Sequence, residues 1–332
     1  TFGNINMYAS YLSISIPVLL AVFAFCKNWF SRILSGILLI AAGCNILIAN
    51  SDSVFLGIFA GVVVVTILAF MQGRLRYSSF AVFLLFVGNL VLGFINKYGH
   101  TRYDKKRGGL AIALNRLDIA FVLCGAALLV FAVVCVCNWK LGTRVAAWNK
   151  KKIVLIVCGA CVALGVIGII VLAVTGSSLL TFNDKWGSYR GYIWRKIVEV
   201  YGDAPFVNKL FGYGNESVRV TLKAACYNEM VQVTGKVYDN AHNELLQYLF
   251  TTGIVGLLSY LALVGSSIVY MFKHAKEHAW ISVCLAATVG YFAQSILNLN
   301  QPITTPLFFV FMAMGVGTVN YCRRVKELEK RA

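Results

Sequence analysis

Charged residues are scarce in this sequence. Asp, Glu, Lys and Arg together make up 13% of its 332 residues, whereas a soluble domain carries about 25%. Hydrophobic residues make up 59% of the chain, and the mean hydropathy is +0.75. Apolar runs of the roughly 20 residues that a helix needs to cross a bilayer recur along its length. These features exclude an ordinary soluble domain and predict an all-α polytopic membrane protein.

The apolar runs predict about nine transmembrane helices. About six fall within residues 1–176 and about three within 245–322. Between them lies a large, partly helical polar loop, 177–244, and a basic tail, 323–332, ends the chain. The chain begins at Thr1 without an initiator Met or a signal-peptide pattern, so we interpret it as a fragment whose upstream part is missing. The predicted spans are 7–26, 33–50, 53–73, 77–96, 117–137, 153–175, 245–272, 279–299 and 303–322.

Acidic residues are few. The chain has 13 Asp and Glu but 30 Lys and Arg, which gives a formal net charge of +17. Sixteen of the cations lie in one set of alternate loops and in the tail. Cytoplasmic loops retain Lys and Arg, so we place this set in the cytoplasm and loop 177–244 outside. The cytoplasmic cations are Lys27, Arg32, Arg74, Arg76, Lys140, Arg144, Lys150, Lys151, Lys152, Lys273, Lys276, Arg323, Arg324, Lys326, Lys330 and Arg331.

Two loops on the predicted outer side are basic as well. Loop 97–116 carries six Lys and Arg and loop 177–244 carries eight. Basic residues on this side favour contact with an anionic lipid or a phosphate. The alternatives are that a long loop crosses the membrane regardless of its charge, and that loop 97–116 only anchors the chain at the interface.

Disulfide pairs, metal-ligand clusters and charges within the spans are also missing. Nine of the ten cysteines lie in or at the ends of predicted spans, and only Cys226 lies in loop 177–244, so no disulfide framework is expected. No group of His, Asp and Glu on the outer side has the spacing of a metal site, so we expect neither metal nor cofactor. The nearly uncharged spans argue against a proton- or ion-coupled transporter.

Loop 177–244 contains the pattern of an amphipathic helix over residues 189–201. Arg190, Trp194 and Val198 are four residues apart and share one face of this helix. A guanidinium beside an interfacial Trp suits a lipid-linked diphosphate, because it binds phosphate bidentately. The alternative is an interfacial aromatic anchor with an Arg that reaches the surface.

Histidine is rare, with four in the chain, and His242 lies where the polar loop leads into an apolar run. A neutral imidazole at the membrane surface can accept the proton of a sugar hydroxyl as that hydroxyl attacks an anomeric carbon. Asp239 and Asn243 flank His242 and can orient it, although a loop histidine can also be only structural. Upstream, Gly212 and Gly214 predict a tight turn or the close approach of a ligand to the backbone.

Several short motifs together resemble the O-antigen ligase and O-antigen polymerase superfamily of bacterial envelope glycosyltransferases. The most specific is the stretch 241–249, Ala-His-Asn-Glu-Leu-Leu-Gln-Tyr-Leu, followed by Thr-Gly-Ile-Val-Gly-Leu-Leu at 252–258. The similarity extends over nearly the whole chain. The other motifs are Gly-Asn-Ile-Asn at 3–6, Ser-Tyr-Arg at 188–190 with Trp194, and Leu-Phe-Gly-Tyr-Gly at 210–214.

The resemblance implies a metal-independent helical membrane enzyme that takes a glycan from an undecaprenyl-diphosphate carrier on the outer face of the bacterial cytoplasmic membrane. Its acceptor would be a lipid, a protein or another glycan chain, and no nucleic acid is involved. His242 resembles the catalytic histidine, which acts as a base, and Arg190 resembles one of the arginines that hold the departing diphosphate. The supporting residues would be Trp194, Asp239, Asn243, Gly212 and Gly214.

One departure from the superfamily concerns the second phosphate ligand. Many members carry an Arg in the turn that corresponds to residues 50–53, where this chain has Asp52. The second cation must then come from Arg219, Arg195 or loop 97–116. The sequence leaves open whether the chain is a polymerase or a ligase. A flippase for lipid-linked oligosaccharides and a non-enzymatic membrane scaffold stay as alternatives.

Overall fold

The computed structural model describes residues 5–46, 51, 53–98, 116–146, 183–299 and 301–331, with the side chains of 138–146 excepted. These residues form eleven α-helices and no β-strand, which confirms the predicted all-α membrane class. In chain order the helices are α1 (Ile5–Phe25), α2 (Trp29–Ile46), α3 (Ser53–Met71), α4 (Leu75–Tyr98), α5 (Leu117–Ala146), α6 (Trp186–Gly202), α7 (Phe206–Phe211), α8 (Ser217–Thr234), α9 (Glu244–His274), α10 (Ala279–Ser295) and α11 (Thr305–Glu329).

Most described helices agree with the predicted spans to within a few residues. Helix α10, predicted as span 279–299, has 17 residues and is shorter than the helices that qualify as spans. The predicted span 153–175 lies outside the described residues, so the total of nine spans stays a prediction. Helix α11 continues through residues 323–329, into the predicted tail. Seven described helices are long and apolar enough to cross a membrane, namely α1, α2, α3, α4, α5, α9 and α11.

The predicted span 245–272 needs a correction, because α9 is broken at Gly253. The backbone there has φ 68° and ψ −172°, far from helical values. Tyr260 stacks on Tyr248 with ring centroids 4.2 Å apart and donates a hydrogen bond to Glu244 Oε1 at 3.2 Å. In a straight helix the 16-residue separation of Glu244 and Tyr260 would correspond to roughly 24 Å. The chain therefore folds back at Gly253.

This reversal divides α9 into two helices of different length. Residues 244–252 rise only about 13 Å, too little to cross a hydrocarbon core of about 30 Å. Residues 254–274 rise about 31 Å, which is enough. The sequence pattern did not reveal the break, because the apolar run continues on both sides of Gly253.

Backbone contacts divide the chain into two compact units. The first unit, which we call the bundle, takes its described residues from 1–146, 264–295 and 300–332. The second unit takes its described residues from 147–263 and 296–299. Each unit is described by itself below.

In the bundle, α10 packs against α1 and α3 through small residues. A Cβ atom on Gly57 would lie 2.6 Å from Ser13 Oγ and 2.7 Å from the carbonyl oxygen of Gly290. Larger side chains at these positions would separate the three helices. Small residues let backbones approach closely, which is a common way for helices to associate within a membrane.

A hydrogen-bonded polar cluster joins the same three helices. Gln294 is fully buried, and its side chain accepts a hydrogen bond from Ser10 Oγ and donates one to Ser53 Oγ, both at 3.2 Å. The hydroxyl groups of Ser51 and Ser53 are 3.0 Å apart. These bonds satisfy polar groups that water does not reach, as an apolar environment requires.

Helices α2 and α4 form a close parallel pair in the bundle. A Cβ atom on Gly43 would collide with the Leu85 carbonyl oxygen, and one on Gly88 would collide with the Ile40 carbonyl oxygen. Nearer the start of both helices, a Cβ atom on Gly36 would lie 3.2 Å from Leu84. Because contact positions advance along both helices together, the two N-termini lie at the same end of the bundle.

The variant Gly88→Ala should destabilise the bundle, because the added methyl group would force α2 and α4 apart. We expect a loss of about 1–3 kcal/mol, the usual cost of overpacking, measured as a lower thermal midpoint in detergent. Gly125→Ala on α5 is the matched control, since its Cβ atom would meet nothing within 4 Å. Equal midpoints for the two variants would contradict the close contact.

Candidate active site

The second unit has an apolar core built largely from α6 and α8. Tyr192, Ile193 and Ile197 of α6 are fully buried, and their spacing places them on one face of the helix. The amphipathic helix predicted over 189–201 is therefore present within α6 from Arg190 onwards, because Tyr189 has a non-helical backbone. The other buried members of this core are Val218, Leu222, Met230, Tyr238, Ala241 and Phe250.

A left-handed turn precedes Arg190 in α6. Gly187, Ser188 and Tyr189 have φ values of 58°, 61° and 70°. This conformation is free for glycine but costs on the order of 1 kcal/mol or more for each other residue. Tyr238 helps to hold the turn, because its hydroxyl donates to the Ser188 carbonyl oxygen at 2.8 Å. The turn thus fixes the backbone position from which the Arg190 side chain extends.

His242 also has a left-handed backbone, with φ 48°. Its N–H group donates to Asn240 Oδ1 at 3.1 Å, and its ring lies edge-on to the Tyr238 ring with centroids 5.7 Å apart. The residue is half-buried, and within the described part of the chain its buried Nδ1 atom has no hydrogen-bond partner. The backbone hydrogen bond and the Tyr238 ring therefore position the imidazole, and its Nδ1 atom can still form a hydrogen bond.

Trp194 and Gln247 fix the backbone immediately before His242. Trp194 Nε1 donates to the Ala241 carbonyl oxygen at 2.9 Å, and the Ala241 N–H group donates to Gln247 Oε1 at 2.9 Å. The Trp194 ring packs on Trp186 at a centroid distance of 5.3 Å. Through these bonds α6 and the start of α9 position the peptide that precedes the histidine.

The predicted flanking residues act on the backbone around the histidine. Asn243 caps α9, because its Oδ1 atom accepts a hydrogen bond from the Leu246 N–H group at 3.0 Å. Asp239 Oδ1 accepts a hydrogen bond from Asn240 Nδ2 at 2.6 Å. Since Asn240 also binds the N–H group of His242, Asp239 orients the histidine loop through Asn240.

Burial lowers the pKa of His242 to about 4, and the positive charge of Arg190 adds to the shift. The carboxylate of Asp239 opposes it, and the charge of Lys236 lowers the pKa further. The imidazole is therefore neutral at pH 7. Sequence reasoning missed Lys236, whose Nζ atom lies 4.5 Å from the centre of the Tyr238 ring. Its position six residues before the histidine was the available clue.

The break in α9 is capped by the segment that contains Gly214. The N–H groups of Tyr213 and Gly214 donate to the carbonyl oxygens of Phe250 and Thr251 at 2.9 and 3.0 Å. In a continuous helix these carbonyls would accept bonds from residues beyond Gly253. The segment therefore replaces the helical donors that the break removes.

The glycines on both sides of this contact allow it to form. A Cβ atom on Gly212 would collide with the Thr251 backbone, and one on Gly253 would collide with the Leu210 carbonyl group. The close approach found at Gly212 is thus to the protein's own backbone. This contact affects the site only indirectly. It fixes the short helix 244–252, and His242 lies just before that helix.

Arg195, a predicted diphosphate ligand, lies in a network of ion pairs. Its guanidinium donates to both carboxylate oxygens of Asp184, at 2.8 and 3.1 Å, and to Glu199 at 2.8 Å. Lys196 links Glu199 to Glu229 of α8, with Nζ–oxygen distances of 3.0 and 2.9 Å. The hydrogen bonds from Arg195 hold the pKa of Asp184 below its usual range. Carboxylates thus compensate the charge of Arg195.

Arg219, the other predicted phosphate ligand in this unit, is exposed in the first turn of α8. The cations whose charge lowers the pKa of His242 are Arg190 and Lys236. The structure therefore brings these two, rather than Arg219, into the electrostatic environment of the imidazole. Residues 99–115, which hold most of the basic outer loop 97–116, lie outside the described residues.

The helices define a multi-pass membrane protein, and its second unit contains a candidate active site around His242. Residues 107–261, which include α6 and His242, match the protein-family model described as O-antigen ligase. This match, which covers somewhat less than half of the chain, confirms the resemblance to the O-antigen ligase and polymerase superfamily that the motifs indicated. The family implies membrane glycan processing, with a lipid-linked glycan and an acceptor as partners. A search of curated proteins found no match.

The ring of His242 should titrate near pH 4, far below the ordinary value of about 6.5. Because the unfolded chain binds the proton at higher pH than the folded one, the free energy of unfolding should fall as the pH drops from about 6.5 to 4. Histidine NMR of isotope-labelled protein measures the midpoint, and loss of one signal in His242→Gln assigns it. Arg190→Gln should raise the midpoint. A midpoint near 6.5 in the unsubstituted protein would contradict the burial of the ring.

Proposed function

We propose that this chain transfers a glycan from an undecaprenyl-diphosphate carrier to an acceptor hydroxyl, without a metal ion and with His242 as the base. The observation that carries the proposal is a neutral, half-buried imidazole that lies within the electrostatic influence of Arg190 and Lys236. A base must be deprotonated before it acts, and a departing diphosphate needs positive charge. The match of residues 107–261 to the O-antigen ligase family model supports glycan processing as the chemistry.

In the proposed reaction the acceptor hydroxyl oxygen attacks the anomeric carbon of the donor sugar. A new bond forms between that oxygen and the carbon while the bond from the carbon to the diphosphate oxygen breaks. The hydroxyl proton passes to the imidazole of His242. The electron pair of the broken bond leaves with undecaprenyl diphosphate, whose charge Arg190 and Lys236 offset. Loss of the proton to solvent then resets the histidine.

The low pKa of His242 would make the strength of this base depend on whether the donor is bound. With the site empty, burial lowers the pKa of the imidazole most, and the charges of Arg190 and Lys236 lower it further, so that it is a weak base. A bound diphosphate would neutralise both charges and so raise the pKa. The base would therefore become stronger when the donor is in place, which limits proton uptake before the donor arrives.

Arg190 is the proposed principal ligand of the diphosphate, because a guanidinium binds phosphate bidentately and stays charged. Lys236 is the proposed second cation, on the evidence of its effect on His242. Arg219 stays a candidate for a more distant part of the donor. Arg195 is the least favoured, because carboxylates already bind its guanidinium.

We further propose that the protein lies in the bacterial cytoplasmic membrane with His242 on the extracytoplasmic face. Seven of the described helices are able to span a membrane, which supports the multi-pass arrangement. The sixteen cations on alternate loops and the tail support the orientation. The acceptor would be a lipid, a protein or a glycan chain on that face, and the size distribution of the product would separate a polymerase from a ligase.

The first test is transfer by the purified full chain in detergent with EDTA, from an undecaprenyl-diphosphate oligosaccharide to candidate acceptors. His242→Ala should reduce the rate by about 10²–10⁴-fold, the usual contribution of a general base. His278→Ala is the matched control, since His278 precedes α10 and contacts the Trp280 N–H group. Full activity of His242→Ala, or activity that EDTA abolishes, would overturn the mechanism.

A second test separates the cations by their effect on donor use. Arg190→Ala should lower kcat/KM for the donor by about 10²–10³-fold, as for other groups that stabilise a leaving anion. Arg190→Lys should recover part of the loss, and Lys236→Gln should show a smaller loss. Arg219→Gln tests the remaining candidate in the same assay.

Lys223→Gln is the matched control for these cation variants, because Lys223 is exposed on α8, where its Nζ atom lies 5.6 Å from the centre of the Tyr227 ring. Equal losses in Lys223→Gln and Arg190→Ala would mean that the general charge of the unit, and not a diphosphate site, sets the rate. Donor binding without transfer by the unsubstituted protein would instead favour a flippase.

A further inference from the structure

Three arginines converge on one tyrosine where α2 and α4 begin. The guanidinium carbons of Arg32, Arg76 and Arg74 lie 4.2, 4.8 and 5.8 Å from the centre of the Tyr77 ring. Arg76 Nη2 also donates to the Tyr77 hydroxyl at 3.1 Å. We call Arg32, Arg74, Arg76 and Tyr77 the arginine cluster. It belongs to the bundle, whereas His242 belongs to the second unit.

The close parallel packing of α2 and α4 creates this cluster. The glycine contacts at Gly43 and Gly88 hold the two helices side by side, so that Arg32 in the first turn of α2 meets Tyr77 in the first turn of α4. The positive ends of two helix dipoles therefore coincide with the guanidinium groups. Neither helix has an acidic residue in its first turn.

The charge of the cluster is not compensated by the described protein. None of the ion pairs formed by the described residues involves Arg32, Arg74 or Arg76. Arg32 Nε is buried, and no described residue is its hydrogen-bond partner. Three like charges and a buried unpaired donor are costly unless an anion binds them. The arrangement therefore favours a ligand with negative charge and several acceptor oxygens, which is the chemistry of a phosphate group.

The neighbouring surface indicates where that phosphate comes from. Trp29 and Phe30, at the start of α2, are 71% and 58% exposed. Exposed aromatic residues at the end of an apolar helix are typical of the layer that contains lipid headgroups. The cluster thus lies at the depth of a lipid phosphate, with apolar surface beside it for acyl chains.

We propose that Arg32, Arg74, Arg76 and Tyr77 form a binding site for the phosphate of an anionic phospholipid. The two helix N-termini and the guanidinium groups bind the headgroup, and Trp29 and Phe30 contact the adjoining lipid. The bound lipid offsets the repulsion within the cluster and so stabilises the paired start of α2 and α4. On the predicted topology this face is the cytoplasmic one.

The test measures lipid retention by native mass spectrometry of the full chain released from bicelles of equal phosphatidylglycerol and phosphatidylcholine. The unsubstituted protein should retain phosphatidylglycerol in preference to phosphatidylcholine. Each arginine near a membrane surface contributes about 1 kcal/mol, or about fivefold in affinity. Arg32→Gln combined with Arg76→Gln should therefore weaken phosphatidylglycerol retention roughly 25-fold, and the single exposed variant Arg76→Gln about fivefold.

Arg324→Gln is the matched control, because Arg324 is exposed on α11 within the same set of predicted cytoplasmic cations. It should retain phosphatidylglycerol like the unsubstituted protein. Unchanged retention in the double variant, or an equal loss in Arg324→Gln, would overturn the proposal. Thermal unfolding in phosphatidylcholine nanodiscs with added inorganic phosphate distinguishes the source. Stabilisation by phosphate equal to that by phosphatidylglycerol would assign the site to a free ion and not to a lipid.

Discussion

A helix that breaks among apolar residues must find new partners for the backbone groups that the break exposes, and this constraint organises the second unit. At Gly253 the carbonyl groups of Phe250 and Thr251 bind the N–H groups of Tyr213 and Gly214. Because unpaired backbone groups are costly away from water, the reversal and its cap depend on each other. Together they set the direction of the short helix whose N-terminus carries the histidine loop.

The same unit separates two groups of cations by their partners. Carboxylates bind Arg195 and Lys196, and the pairs that both residues form with Glu229 hold α6 and α8 together. Arg190 and Lys236 instead act on the neutral ring of His242. A cation that is bound by carboxylates stabilises the fold. A cation whose charge shifts the pKa of a titratable ring can contribute to chemistry. Residue type alone does not distinguish these roles.

Glycine has an equally varied role in this chain. In the bundle, Gly43 and Gly88 permit close parallel packing, and that packing gathers arginines that are distant in the sequence. In the second unit, Gly212 and Gly253 permit a contact between two backbones. In both cases the absence of a side chain matters more than backbone flexibility, because another backbone occupies the space that a Cβ atom would need.

The sequence by itself determined the membrane class, most helix positions, the resemblance to the O-antigen ligase superfamily and the histidine motif, because apolar run length, residue order and short motifs are local properties. It did not determine the break within α9, since Gly253 interrupts no hydrophobic pattern. It also did not reveal that carboxylates bind Arg195, or that Lys236 lies close to the Tyr238 ring. Only the tertiary structure decided those points, because burial, carboxylate partners and distance between charges depend on which segments of the chain meet.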